Sequence, residues 1–173
     1  AVGGWAQISE AGSGSWVKPD FCGALVDPVQ LEVTSPAPSI GEGQALQLAS
    51  RLRCDDGSLL GDGFTTDWLV ESGPLSESGD GWVTGQPVYL HSNAIARASS
   101  AGLHGQTTLM VLNIHLDNYG LYAGDHVDDA WQVHFFGLDN SDGLRTADPD
   151  GDGTDNYYEF TAGTDPGLAS DSF

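Results

Sequence analysis

Between residues 24 and 116 the apolar side chains fall in short runs that alternate with polar ones and are cut apart by turn residues. That pattern restricts the chain to a β architecture. The runs are 29–34, 45–53, 64–71, 81–84, 88–91, 94–99 and 107–116, separated by clusters such as Ser35-Pro36-Ala37-Pro38 and Asp55-Asp56-Gly57. Alternation with period two turns one face of each run toward a core and the other toward water. Pro, Gly and Asp close the runs because they supply turn dihedrals. Short strands at a spacing of about 8 to 12 residues predict a β-sandwich. No helical periodicity is found in this stretch.

Charge narrows the functional classes. The chain carries 25 Asp plus Glu against 5 Lys plus Arg, for a formal charge of −20 and a pI near 4.1. Such a surface repels phosphate backbones and anionic membranes, so nucleic acid is excluded as a partner. A disordered acidic tail is excluded too, because 39% of the residues are apolar and can build a core. The longest apolar run, 109–112, is far too short to span a bilayer, so no membrane insertion is expected.

Cysteine spacing and the low Lys content speak to location. Cys22 and Cys54 fit neither a zinc site nor a redox pair, and one disulfide is the simplest reading, with two buried thiols as the alternative. An extracellular or cell-surface location follows. Residues 1–23 form a Gly/Ser-rich arm that carries Trp5, Ile8, Trp16 and Val17. Flexible linkers lack Trp, so the arm is expected to pack on its own domain or on a neighbouring copy.

The order LEVTSPAPSIGEGQALQLAS, DDGS, TTDWLVESG, GWVT, NAIARASSAG, TTLMVLNI resembles bacterial immunoglobulin-like domains of secreted and cell-surface proteins. The resemblance covers about 90 residues and implies an immunoglobulin-like β-sandwich over 24–116 with Trp68 in its core. It implies no activity.

Residues 117–173 hold thirteen acids, twelve of them Asp, and one base, Arg145. Asp with Gly is a loop and metal-ligand composition. Within it, DPDGDGTDNYYE places Asp148, Asp150, Asp152, Gly153, Thr154, Asn156 and Glu159 at positions 1, 3, 5, 6, 7, 9 and 12 of a calcium loop. Alternate Asp carboxylates converge in such a loop, Gly at position 6 permits the sharp turn, Thr154 offers its carbonyl and Glu159 both carboxylate oxygens. Asp155 departs from the pattern at position 8, where paired EF-hand loops carry an apolar residue. No second complete loop exists, which speaks against a regulatory pair.

The continuation NYYEFTAGTDPGLAS resembles thrombospondin type 3-like and dockerin-like calcium repeats over about 25 residues. That resemblance implies that Tyr158 and Phe160 seat the loop by packing, that Thr164-Asp165-Pro166 stops the helix, and that Asp165 is an extra ligand. The preceding DNYGLYAGDHVDDAWQVHFFG resembles an element found ahead of such repeats. Aligned on the loop, it puts Asp125 at position 5, Asp129 at 9 and Gln132 at 12, with Leu121 and Ala123 in place of the first two Asp. Asp117 and Asn118 would return across the insertion to complete a second calcium site. The competing reading is an acidic N-terminus on a short helix, 130–136, with Trp131, Phe135 and Phe136 inward.

No zinc-protease, nucleophile-elbow or phosphate-loop motif occurs, and no enzyme is expected. The expected function is that of an extracellular calcium-binding structural protein, a self-assembling subunit or spacer of a bacterial surface filament or array. Its partners would be copies of itself, engaged through the arm and the C-terminal end. The alternative is a carbohydrate-binding or adhesive module, or an accessory domain of a secreted hydrolase, with glycans as ligands. Trp82, in a polar Ser-Gly-Asp-Gly setting, is read as a core residue and, in that alternative, as a sugar-stacking one.

Overall fold

A computed structural model describes residues 6–10, 13–17, 27–60 and 63–171 of the chain. The centre of the β region is the hairpin of β11 (Ser92–Ser100) and β12 (Leu103–Leu112), paired antiparallel from Ser92↔Val111 to Ser100↔Leu103. Its turn holds Ala101 and Gly102 at φ 51° and 78°, the conformation that matches the twist of flanking strands. Along β11 every second residue is buried, and Ala94, Ala96 and Ala98 are at most 1% exposed. These small side chains let a facing sheet come close.

β8 (Asp67–Ser72) pairs with the other edge of β11, and β4 (Ser39–Gly41) runs parallel along β12, giving the sheet order β4-β12-β11-β8. Two three-stranded sheets accompany it. One is β5 (Ala45–Gln47), β10 (Trp82–Gly85) and β9 (Leu75–Glu77); the other is β3 (Pro28–Thr34), β6 (Ala49–Cys54) and β7 (Leu59–Leu60). The result is a sandwich-like, mainly β arrangement with two cores. Ile40, Leu75, Val83, Leu109 and Val111 belong to the first, and Leu31, Leu52 and Ala98 to the second. Trp68 packs against both and is half-buried, so its expected core role is met from the edge of each.

Three features of the strand reading are corrected. The run 45–53 is two strands in different sheets: Leu48, buried between them, sends its N–H to Gly81 (2.8 Å) and marks the switch. Residues 88–91 are not a strand. Pro87 precedes them, and Asn113 engages both Tyr89 O and His91 Nδ1 (2.9 Å each), so side chains take the place of a ladder. β12 ends at Leu112 because Asn113 is held this way.

The arm contains an antiparallel hairpin of β1 (Ala6–Glu10) and β2 (Ser13–Val17), with Ala6 opposite Val17. Trp5 and the side chain of Trp16, on which the expected packing depends, lie outside what the structure describes. Cys54 is buried with a free thiol; Cys22 lies outside the described residues, and the expected bridge with it. After β12 the chain carries α1 (Asp129–Phe136) and α2 (Asn156–Ala162). Among the described residues no helix is long and apolar enough to cross a membrane.

Candidate metal centre

The loop before α2 folds around its own Asp side chains. Asp148 accepts the backbone N–H of Gly151 (Oδ1, 2.9 Å) and of Gly153 (Oδ2, 3.0 Å); Asp150 accepts from Asp152 (3.1 Å) and Asp152 from Thr154 (2.7 Å). Gly153 sits at φ 96°, where a side chain is strained. These bonds turn the carboxylates of Asp148, Asp150 and Asp152 to one point, with oxygens all within 4.8 Å of one another.

Glu159 lies in the first turn of α2 at 1% exposure. Burial, then the charges of Asp150, Asp152, Asp148 and Asp165, push its carboxyl up from 4.5 to about 7. A buried acid held among acids either keeps its proton or needs a cation to stabilise its charged form. The Oε2 of Glu159, the Oδ2 of Asp150 and the Oδ1 of Asn156 are buried and accept no hydrogen bond. Orphaned acceptors of this kind are costly, and an all-oxygen set of them fits a hard cation such as Ca²⁺.

The remaining expected ligands behave unequally. Asn156 commits its Nδ2 to the carbonyls of Asp142 (2.7 Å) and Leu144 (2.8 Å), bracing the loop against the preceding turn, and leaves only Oδ1 free. Asp155 caps α2 by accepting from Tyr158 N–H (3.1 Å), which accounts for the polar residue at position 8. Asp165 accepts from Gly167 (3.0 Å) and contributes to the field on Glu159.

One packing expectation and the expected helix stop are corrected. Tyr158 is 59% exposed and does not seat the loop; Phe160 does pack, edge-on to Trp131 at 5.5 Å. The seat is supplied instead by Tyr157, whose ring lies 3.8 Å from the guanidinium carbon of Arg145. The helix stops one residue before the expected Thr164-Asp165-Pro166, at Gly163 with φ 80°. Arg145 had no motif to mark it, beyond being the one base in the acidic third.

The second expected set is tied into one hydrogen-bonded cluster, but among the described residues only Asp148, Asp150 and Asp152 bring an oxygen each within 4.8 Å of one another. Asp117 accepts from Gly124 (2.6 Å), Asp125 (3.0 Å) and His126 (2.7 Å). Asp125 accepts from Val127 (2.9 Å), from Gln132 Nε2 (2.8 Å) and from Arg145 N–H (3.3 Å). Asp129 is fully buried and accepts from Asn118 (2.6 Å) and Tyr119 (2.8 Å) N–H; burial is the main reason its carboxyl is raised. The buried residues of α1 are therefore Asp129 and Gln132, while Phe135, expected inward, is 38% exposed.

No family model matches the chain, and no curated protein matches it. Among solved structures it is similar to the crystal structure of the S-layer protein SbsC domains 4 and 5, at 15% identity and a TM-score of 0.40, over 64% of this chain and 66% of that one. The chain thus spans just under two thirds of that structure, and a likeness this loose carries no argument about role.

Proposed function

We propose that the chain is a calcium-stabilised, non-catalytic structural module of a bacterial cell surface or secreted assembly. The observation that carries this is the convergence of Asp148, Asp150 and Asp152 beside the buried, unpartnered carboxyl of Glu159. Ca²⁺ would take the three Asp carboxylates, the Thr154 carbonyl and Glu159, with Asn156 Oδ1 within the shell or behind a water. Extracellular sites of this kind bind at roughly 10⁻⁴ to 10⁻³ M, so the ion is resident outside cells and acts by mass action on stability. The sandwich is read as immunoglobulin-like, a reading supported by Trp68 bridging its two cores. Self-assembly into a filament or array completes the proposal: cations reduce the repulsion that a charge of −20 imposes on neighbouring copies.

Melting curves with Ca²⁺ and with EDTA test the calcium role; an unchanged midpoint overturns it. Sedimentation and electron microscopy at high concentration with calcium test assembly, and monomers alone overturn that part. One observation favours the adhesive alternative. Trp82, expected in the core, points off the outer face of β10 at 46% exposure, as a sugar-stacking residue would. A glycan array without hits removes this alternative.

A further inference from the structure

Three of the bonds that close the loop at 148–159 recur at 117–132, where the sequence keeps neither the spacing nor the first two Asp positions. Asp148 holds Gly151 and Gly153 N–H; Asp117 holds Gly124 and His126 N–H. Asp152 accepts from Thr154, and Asp125 from Val127. The left-handed positions coincide as well, Gly151 and Gly153 at φ 75° and 96° against Gly124 and His126 at 85° and 71°. Asp155 and Asp128 both cap the following helix; Asn156 and Asp129 come next, both fully buried; Glu159 and Gln132 follow at 1% and 0% exposure.

The difference is an insertion. Seven positions separate Asp117 from Gly124 where three separate Asp148 from Gly151. The extra residues are pinned by Tyr122, buried, whose hydroxyl donates to Gly137 O (2.7 Å) and accepts from Asn140 N–H (3.1 Å). Asp117 therefore occupies position 1 from outside the contiguous motif.

Independently of these loop bonds, three buried acceptors of this segment have no partner: Asp129 Oδ1, Gln132 Oε1 and Asn118 Oδ1. The Gln132 amide cannot turn to relieve this, because its Nε2 donates to both Asp125 Oδ2 and Gly143 O at 2.8 Å. Nor can Asp129, whose other oxygen holds two backbone N–H groups. We propose that this is a second divalent-cation site, taking Ca²⁺ through Asp117, Asp125, Asp129, the Gln132 and Asn118 side-chain oxygens and the Val127 carbonyl. It offers three carboxylates against four in the first loop and has Arg145 donating to Asp125 O (2.8 Å), so it binds the ion more weakly.

The test is Ca²⁺ stoichiometry on the full chain by equilibrium dialysis, with circular dichroism as the check on folding. Wild type is expected to bind two ions; Asp150→Asn removes the tighter one, and Asp129→Asn weakens the other at least tenfold while leaving the first intact. One ion that responds to Asp150→Asn and not to Asp129→Asn overturns this proposal and leaves the first site standing. One ion with the opposite response overturns the first site alone, and no ion overturns both. Should Asp129→Asn fail to fold, Gln132→Glu decides: a weaker site tightened severalfold supports the proposal, and an unchanged isotherm overturns it.

Discussion

The carboxylate of Glu42, buried at 2% exposure between β4 and β5, accepts the side-chain amide of Asn118 from the acidic segment. It also receives the N–H of Ile114 at 3.3 Å. One acid of the sandwich thus fixes the start of the segment that carries both loops, and it holds the Asn118 amide so that its oxygen stays free.

Glu42→Ala leaves the two part-buried donors without their acceptor. A hydrogen bond to a charged group is worth about 1.5–3 kcal/mol, so a loss of about 2 kcal/mol is expected in urea unfolding. Glu42→Gln, which keeps one acceptor, is expected to lose about half as much. Equal losses would mean that volume matters there and hydrogen bonding does not.

Stability should also depend on pH in a calcium-dependent way. Without the ion, folded Glu159 holds its proton up to about pH 7, whereas the unfolded chain releases it near 4.5. The folded state binds more protons in that window, so its stability is fullest below about 4.5 and falls as pH rises toward 7. The raised carboxyl of Asp129 acts in the same sense. Calcium needs the carboxylates, so its affinity rises over the same window. Melting temperatures with and without Ca²⁺ should diverge steadily from pH 5 to 8; parallel curves would contradict the assignment.

Glu159→Gln separates these two effects. A neutral side chain removes the repulsion from Asp150, Asp152 and Asp148, so the EDTA form should melt higher than wild type at pH 8. The ion loses a carboxylate, and affinity should fall at least tenfold, about 1.4 kcal/mol. A variant that melts lower in EDTA and binds calcium as wild type does would refute the electrostatic account.

The β architecture and the first loop were legible because both rest on local spacing: alternation sets the strand faces, and D-x-D-x-D-G sets a turn that closes on itself. What was not legible depends on partners distant in sequence. The break at Leu48 exists because Gly81, far along the chain, offers a carbonyl there, and β4, β7 and β9 are too short to show a period. Tyr157 and Tyr158 are indistinguishable by type, and only Arg145 decides which is seated. The polar buried face of α1 ran against the usual inference from Trp131, Phe135 and Phe136, because Asp129 and Gln132 serve the loop and not a core.

Gly105 tests the sandwich itself. A Cβ there would fall on the carbonyl oxygen of Leu31 and lie 3.0 Å from Val33 Cγ2, so β12 and β3 touch through the missing side chain. Gly105→Ala should destabilise by about 1–3 kcal/mol, or several degrees in melting temperature. The effect should be the same with and without calcium, since neither loop is near.

Arg145 gives the sharpest contrast between stability and binding. Its backbone N–H and Nη1 bond Asp125, its carbonyl accepts Tyr157 N–H (3.0 Å), and its guanidinium stacks on that ring. It is a resident cation shared by two acidic loops. Arg145→Ala removes the stack and the Nη1 bond, worth roughly 1–2 kcal/mol, so the calcium-free protein should melt lower. The same change removes a positive charge that competes with the ions, so calcium should bind more tightly and raise the melting temperature further than in wild type. Calorimetric titration paired with melting curves checks both signs, and a fall in both quantities would show that Arg145 only scaffolds the loops.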